Sequence, residues 1–164
     1  MVILVYVVSL ALSFATAFTG ARFRPDAWYQ TLRKPRGTPP SWVFPVVWTS
    51  LYILMAVAAA RVWLLPASEL RTIALVLYGL QLASNAAWSW IFFGQRRMLL
   101  AWADLTLLLA LVLATTLCFL RLELLAGILL LPYVLWLGVA FYLNGSVWWL
   151  NRGLPHSSEQ RRKL

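Results

Sequence analysis

Residues 39–55 read PPSWVFPVVWTSLYILM, and the apolar run they open continues to Leu65. A Pro-Pro pair cannot sit inside a helix, whereas Pro45 falls in the first turn of the helix beyond it, where its missing N–H costs little. The pattern predicts a membrane helix over 42–65 whose entrance is lined with rings. Trp48 and Tyr52 are four apart and so stack on one helical face. Trp42 suits the headgroup-level belt in which Trp and Tyr collect. Trp48 and Tyr52 lie roughly two to three turns inside the run, where a ligand wall or a packed core suits them better than the belt.

The rest of the chain has the same character. Of 164 residues, 62% are hydrophobic and only 12% are charged, and the mean hydropathy is +0.77. This composition is that of one membrane domain. Four further runs are long enough to cross a bilayer, which takes about 20 apolar residues. The expected fold is an all-α membrane protein, a five-transmembrane-helix bundle with helices over 2–21, 42–65, 72–93, 98–120 and 125–150. The first run contains Ala15-Thr16-Ala17, which resembles a signal-peptidase site. No Lys or Arg precedes it, so it reads as a span. Pro132 is expected to interrupt the last span.

Residues 22–41, RFRPDAWYQTLRKPRGTPPS, hold five bases, one acid and four prolines. A short helix over Asp26–Leu32 is expected there, and the rest is irregular. A loop this long is a lid or binding loop unless it is disordered. Trp28 and Tyr29 argue against disorder and place it on the membrane surface or folded back over the bundle mouth. The segment 152–164 reads as a polar, basic, mobile tail.

The net charge is +9. The bases sit in loops and tail beside apolar runs, which points to headgroups and topology and not to nucleic acid. Arg22, Arg24, Arg33, Lys34, Arg36, Arg96, Arg97, Arg152, Arg161, Arg162 and Lys163 fall on one side of a five-span arrangement. Arg61, Arg71 and Arg121 fall on the other. The positive-inside rule then puts the long loop and the C-terminus in the cytoplasm and the N-terminus outside. Arg61, near a span end, is expected to snorkel to the interface.

Two faces carry polar groups into the apolar region. In the third span Gln81, Ser84, Asn85 and Trp88 recur at i, i+3, i+4 and i+7 and should look into the bundle, as ligand contacts or as interhelical glue. In the fifth, Trp136, Ala140, Asn144, Val147 and Asn151 form one stripe. Gly79, Ala83 and Ala87 make a small-xxx-small ladder on another face, suited to close packing with a second subunit. Asp104 is the one acid inside a span, and is expected to pair with Arg96 or Arg97, to cap, or to be neutral.

Many chemistries are absent. The single cysteine, Cys118, excludes an intrachain disulfide and a thiolate cluster, and the single histidine, His156, lies in the tail. There is no metal site, no phosphate-cradling Gly loop, no Ser-His-Asp set and no chain of buried charges for a pump. What remains is an apolar chamber of rings (Trp48, Tyr52, Trp88, Trp136) and amides (Asn85, Asn144) beneath a basic lid bearing Trp28. Its natural ligand is large, flat, mostly apolar and edged with acid groups, as a porphyrin is.

The segments WYQTLRKPRGTPPSWVFPVVWTSLY, NAAWSWIFFG (Asn85 to Gly94) and PYVLWLGVAFYLN (Pro132 to Asn144), with Asp104, occur in order. Over about Ala21 to Asn151 the chain resembles the translocator protein family, also called tryptophan-rich sensory proteins or peripheral-type benzodiazepine receptors. The resemblance implies a five-helix bundle, often a homodimer. It implies binding of protoporphyrin IX and other tetrapyrroles as ligands, with no required cofactor, and of cholesterol and synthetic isoquinoline or benzodiazepine compounds in relatives. The family's ligand positions fall here on Trp28, Tyr29, Pro40, Trp42, Trp48, Tyr52, Asn85, Trp88, Trp136 and Ala140. Animal members carry a sterol-recognition pattern after the fifth-helix Tyr. Here Tyr142 has no base until Arg152, beyond that pattern's reach, which speaks against strong sterol binding and for a bacterial-type member. The leading reading is a tetrapyrrole sensor, receptor or carrier. The alternatives are a light-dependent porphyrin-degrading enzyme, with Trp48 and Trp136 as candidate photo-oxidative residues, and a membrane scaffold acting through Gly79, Ala83 and Ala87.

Overall fold

The structure, a computed structural model, describes residues 1–153. Six α-helices lie within them: α1 (Val2–Arg22), α2 (Ala27–Thr31), α3 (Val43–Trp63), α4 (Glu69–Ser89), α5 (Met98–Leu122) and α6 (Leu124–Asn151). A π-helical turn, Trp90–Gly94, follows α4 directly. No strand occurs among the described residues. The expected tail lies outside them from residue 154 onward.

The five long helices close into a ring in the order α1, α3, α6, α5, α4, with α4 returning to α1. Four of them, α1, α3, α5 and α6, are long and apolar enough to cross a membrane. Of the five expected spans, α4 is the one that falls short of that measure. That helix has the 21-residue length of α1 and α3, but Glu69, Arg71, Gln81 and Asn85 dilute its hydropathy.

Helix α1 is inside-out by the standards of a water-soluble bundle. The buried residues of α1 are Ser9, Ser13 and Thr16, while Leu4, Val7, Leu12 and Phe18 face outward. In hydrocarbon, apolar side chains gain nothing by turning inward, and helices adhere through small and hydroxylated residues. The Ser13 and Tyr78 hydroxyls meet at 2.7 Å, tying α1 to α4.

Local chemistry sets the helix boundaries. Asp26 caps α2, its carboxylate accepting the Tyr29 N–H at 3.1 Å. This short helix lies where the Pro25-Asp26 signal predicts it. Ser68 caps α4 by accepting the Arg71 N–H, and Glu69 in the first turn complements the helix dipole. The helix therefore begins three residues before the expected 72, because Ser68 and Glu69 are a start signal and not part of a turn. At its other end the α-helix stops at Ser89, short of the expected Phe93. The ladder there changes to a wider spacing, with the Gln95 N–H bonded to the Trp90 carbonyl at 2.8 Å.

Glu123 alone separates α5 from α6 and caps the latter, accepting the Ala126 N–H at 3.1 Å. Gly127 makes so tight a reversal possible: a Cβ there would lie 2.3 Å from Leu120 Cγ and 2.7 Å from its Cα. Arg61 does not simply snorkel. Its guanidinium forks onto both oxygens of Glu123, Nε at 2.8 and 2.9 Å, joining α3 to the α5–α6 hinge. Pro132 does not interrupt α6, which runs 28 residues through it. Such prolines are tolerated in membrane helices where neighbouring helices hold the chain and re-satisfy the freed backbone groups.

Candidate functional site

Four side chains on three helices meet in the ring's interior. The Tyr52 hydroxyl of α3 donates to Asn85 Oδ1 of α4 at 3.1 Å. Asn85 Nδ2 donates to the Tyr133 hydroxyl of α6 at 2.6 Å, and that hydroxyl donates to Gln81 Oε1 at 3.1 Å. Each polar group is thereby satisfied where water is excluded, which a buried amide requires. Asn85 and Tyr52, both singled out in the sequence, thus spend their polar atoms on each other and on Tyr133. They form the floor of the site.

Rings pack onto this floor. Trp48 stacks on Tyr52 with centroids 5.5 Å apart and meets Tyr133 edge-on at 6.0 Å. Trp136 meets Phe44 edge-on at 5.8 Å. Trp48, Trp88, Trp136 and Ala140 all border the main core cluster. One cavity lies beside Tyr78, Gln81 and Tyr133 and another beside Lys34, Tyr142 and Trp149; the linings of these two do not include Trp48, Trp88, Trp136 or Ala140.

The lid is folded back over the bundle. Trp28 and Tyr29 lie edge-on to Phe92 at 6.0 and 6.1 Å, and Tyr29 meets Phe93 at 5.5 Å. Leu32 is buried among the same residues. The π turn makes this possible by re-aiming Phe92 and Phe93 toward the loop, a common use of a π-bulge near functional sites. Trp88 stacks on Phe92 at 5.2 Å and borders both the core and the lid cluster. It is the residue that joins floor to lid.

Two polar contacts latch the lid. Asp26 accepts from Arg96 Nη2 at 2.8 Å, and the Arg96 guanidinium lies 5.6 Å from the Trp28 ring. Arg96 adopts φ 57°, a backbone conformation that is uncommon outside glycine and needs contacts to hold it. Partial burial would raise the Asp26 carboxyl's pKa, but the Tyr29 N–H and Arg96 outweigh it and hold it below its usual 3.8. The second latch is Asn151, whose amide bonds the Arg33 N–H and C=O, both at 2.9 Å.

Asp104 is not paired with Arg96 or Arg97. The Ser84 hydroxyl donates to its Oδ1 at 3.1 Å, and Oδ2 has no partner among the described residues. Pro40 and Trp42 stand exposed at the head of α3, Trp42 at 66%. Gly79 and Ala83 are also exposed on the outside of α4, while Ala87 packs against the lid cluster.

Several buried polar atoms in this region have no partner among the described residues: the indole N–H of Trp88, the indole N–H of Trp136, and both amide atoms of Asn144. Trp136, Ala140, Asn144 and Val147 form one stripe of α6 that leads from the core cluster to the lid cluster. Tyr133, absent from the sequence-derived site, sits one turn before Trp136 on this side of the helix. Extending the stripe back by i−3 would have found it. Phe92 and Phe93 could not have been placed, because a π turn breaks the 3.6-residue period.

A ring of apolar helices with polar contacts turned inward, closed at one end by an aromatic lid, defines a multi-pass integral membrane protein. Residues 2–150 match the TspO/MBR family. The chain is 45% identical over 150 residues to protein CrtK of Rhodobacter capsulatus, covering 91% of this chain and 92% of that one. It is 44% identical over 148 residues to the tryptophan-rich sensory protein of Cereibacter sphaeroides, covering 90% and 92%. It is 41% identical over 141 residues to the human translocator protein, covering 83% of each. The chain belongs to the TspO/MBR family.

Proposed function

We propose that the protein binds a tetrapyrrole such as protoporphyrin IX between the α6 stripe, Trp88 and the lid, and acts as a sensor or carrier of it. The observation that carries this reading is the set of unpartnered buried groups: two indole N–H donors and the Asn144 amide. A buried donor without a partner costs roughly 1–3 kcal/mol, so a site that retains several is suited to a ligand that meets them. A porphyrin offers carboxylates to donors, a flat face to Trp48, Trp88 and Trp136, and acid groups to the bases around the lid. The lid's two polar latches supply a movable element through which it can enter. The names of the relatives, a sensory protein and a translocator, suit a ligand-binding role.

In this proposal α4 is the fifth crossing. Its polar residues Gln81, Ser84 and Asn85 are buried inside the ring, which leaves Val76, Leu80 and Trp90 toward lipid. The lid end is cytoplasmic, since it gathers Arg22, Arg24, Arg33, Lys34, Arg36, Arg96, Arg97 and Arg152. The exposed Gly79 and Ala83 of α4 form the contact face of a homodimer.

The test is quenching of tryptophan fluorescence by protoporphyrin IX in the dark, using purified protein and the Trp136→Phe variant. The substitution keeps a ring and removes the N–H. Saturable quenching that weakens in Trp136→Phe is expected. Unsaturable quenching, equal in both, would mean simple partitioning and would end the proposal.

A further inference from the structure

A groove of about 480 Å³ lies outside the aromatic site, between the lid's outer segment and the lipid-facing side of α6. Its lining joins Lys34, Pro35 and Arg36 from the loop to Tyr142, Ser146 and Trp149 from the helix. The loop side is held in place. Asn151 clamps Arg33 through both backbone groups, and the Thr38 hydroxyl donates to the Pro35 carbonyl at 2.8 Å. Gly37 takes φ 85° and closes that turn, a left-handed conformation that favours glycine.

The helix side has the polarity of a membrane interface. Tyr142 and Trp149 are each 57% exposed and seven residues apart, so both point outward on one stripe about 10 Å long. Trp149 is covered by the Arg152 guanidinium at 3.5 Å, adding a third base at the rim. The two ion pairs of the described residues engage Arg61 and Arg96, so neither occupies Lys34 or Arg36. Lys34 Nζ lies 4.6 Å from the Tyr29 ring, a contact that orients the ammonium without neutralising it. Two bases, a hydroxyl and two amphipathic rings therefore face one groove at the end of a helix that leads into the bilayer.

We propose that this groove holds the headgroup of an anionic phospholipid. Lys34 and Arg36 take the phosphate, Ser146 donates to a phosphate or glycerol oxygen, and the first acyl carbons run down α6 past Tyr142. Charge complementarity selects the occupant: a zwitterionic headgroup would bring its ammonium beside the same bases. The site is separate from the tetrapyrrole proposal and stands or falls without it. Bound lipid here would also brace the lid's outer segment against α6.

The experiment is native mass spectrometry of the full chain in detergent, titrated with phosphatidylglycerol or phosphatidylcholine of identical acyl chains. One phosphatidylglycerol should bind about tenfold or more tightly than phosphatidylcholine, since each nearby base adds to attraction for an anionic lipid. The Lys34→Gln/Arg36→Gln variant should lose that preference. Ser146→Leu, which fills the groove and leaves the charges, should weaken phosphatidylglycerol binding as well. Arg121→Gln, at the opposite end, should change nothing. Equal binding of the two lipids, a preference that survives Lys34→Gln/Arg36→Gln, or its equal loss in Arg121→Gln would overturn the proposal. So would displacement of the lipid by inorganic phosphate at the same headgroup concentration, which would make the site a free-phosphate site.

Discussion

Replacing Asn144 with leucine should stabilise the empty protein and weaken its porphyrin binding at the same time. Asn144 is 3% exposed, and neither its Oδ1 nor its Nδ2 has a partner among the described residues. Leucine has a similar length and no polar atom. Two unmet groups at roughly 1–3 kcal/mol each set a ceiling of roughly 2–6 kcal/mol. The gain is smaller in a membrane, because a separated helix carries the same amide into the bilayer. Interhelical hydrogen bonds there average about 0.6 kcal/mol and reach about 1.7. A gain of roughly 1–3 kcal/mol is therefore expected from the two groups together. Asn144→Ala removes the same atoms but leaves a cavity, so it should fall below Asn144→Leu.

Reversible unfolding in mixed micelles with increasing dodecyl sulfate reads this directly, with helicity as the signal. Affinity for protoporphyrin IX in the dark is the second reading. Loss of one or two ligand hydrogen bonds at about 0.5–1.5 kcal/mol each predicts a drop of roughly 2- to 150-fold. A variant that is less stable than wild type while binding porphyrin equally well would refute the reasoning. Asn144 would then be a packing residue, and the α6 stripe would not be the wall of a ligand site.

The opposite balance is expected at Asn85: Asn85→Ala and Tyr133→Phe should each destabilise the fold. A double-mutant cycle between them should give a coupling of about 0.6–1.7 kcal/mol, and additivity would show that their 2.6 Å bond contributes nothing. The Asp26 carboxyl is held below its usual 3.8, so the Asp26–Arg96 latch is complete above that value and is lost as pH falls through the lower folded-state value. The pair is exposed, so its contribution is below about 1 kcal/mol. Iodide quenching of Trp28 should rise below about pH 4 in wild type, and Asp26→Asn should remove that step; a step retained in Asp26→Asn would assign it to another group. Gly79→Leu should abolish the proposed homodimer without loss of the monomer fold, since a Cβ at Gly79 meets nothing within 4 Å. Unchanged mass by light scattering in detergent would acquit that face.

Whether a feature is legible in the sequence depends on what carries it. Apolar length and the Pro39-Pro40 stop are one-dimensional signals, so α1, α3, α5 and α6 are readable to within a few residues. The inward face Gln81, Ser84, Asn85 is also readable, because a polar triplet at helical spacing inside an apolar run has one way to turn. What periodicity cannot supply is the partner. Asn85 could serve a ligand or a neighbouring helix equally well on paper, and only Tyr133, reaching across from α6, decides that its amide is already engaged. The same holds for Arg61, for which snorkelling is the sensible default unless Glu123, 62 positions away in sequence, comes within reach. Phe92 and Phe93 show a different limit, since the extra residue of a π turn rotates them out of the register that a helical wheel assumes.

These limits bear on how the site works. Trp88, Trp136 and Asn144 are inward groups that find no partner among the described residues. They lie where the α6 stripe passes from the core to the lid, and Trp88 touches both clusters. Below that level the polar atoms are tied across α3, α4 and α6 by short bonds. Above it the lid's polar contacts are one exposed ion pair and one amide clamp, beside the packing of Trp28, Tyr29 and Leu32 on Phe92 and Phe93. A bundle stiff at the floor and weakly latched at the lid can open at one end without losing its ring, and it is the open end that carries the unmet donors. A ligand that satisfied them would be bound at the expense of the lid's contacts and not of the fold. Occupancy would therefore be reported at the basic loop, on the side of the membrane where that loop is displayed.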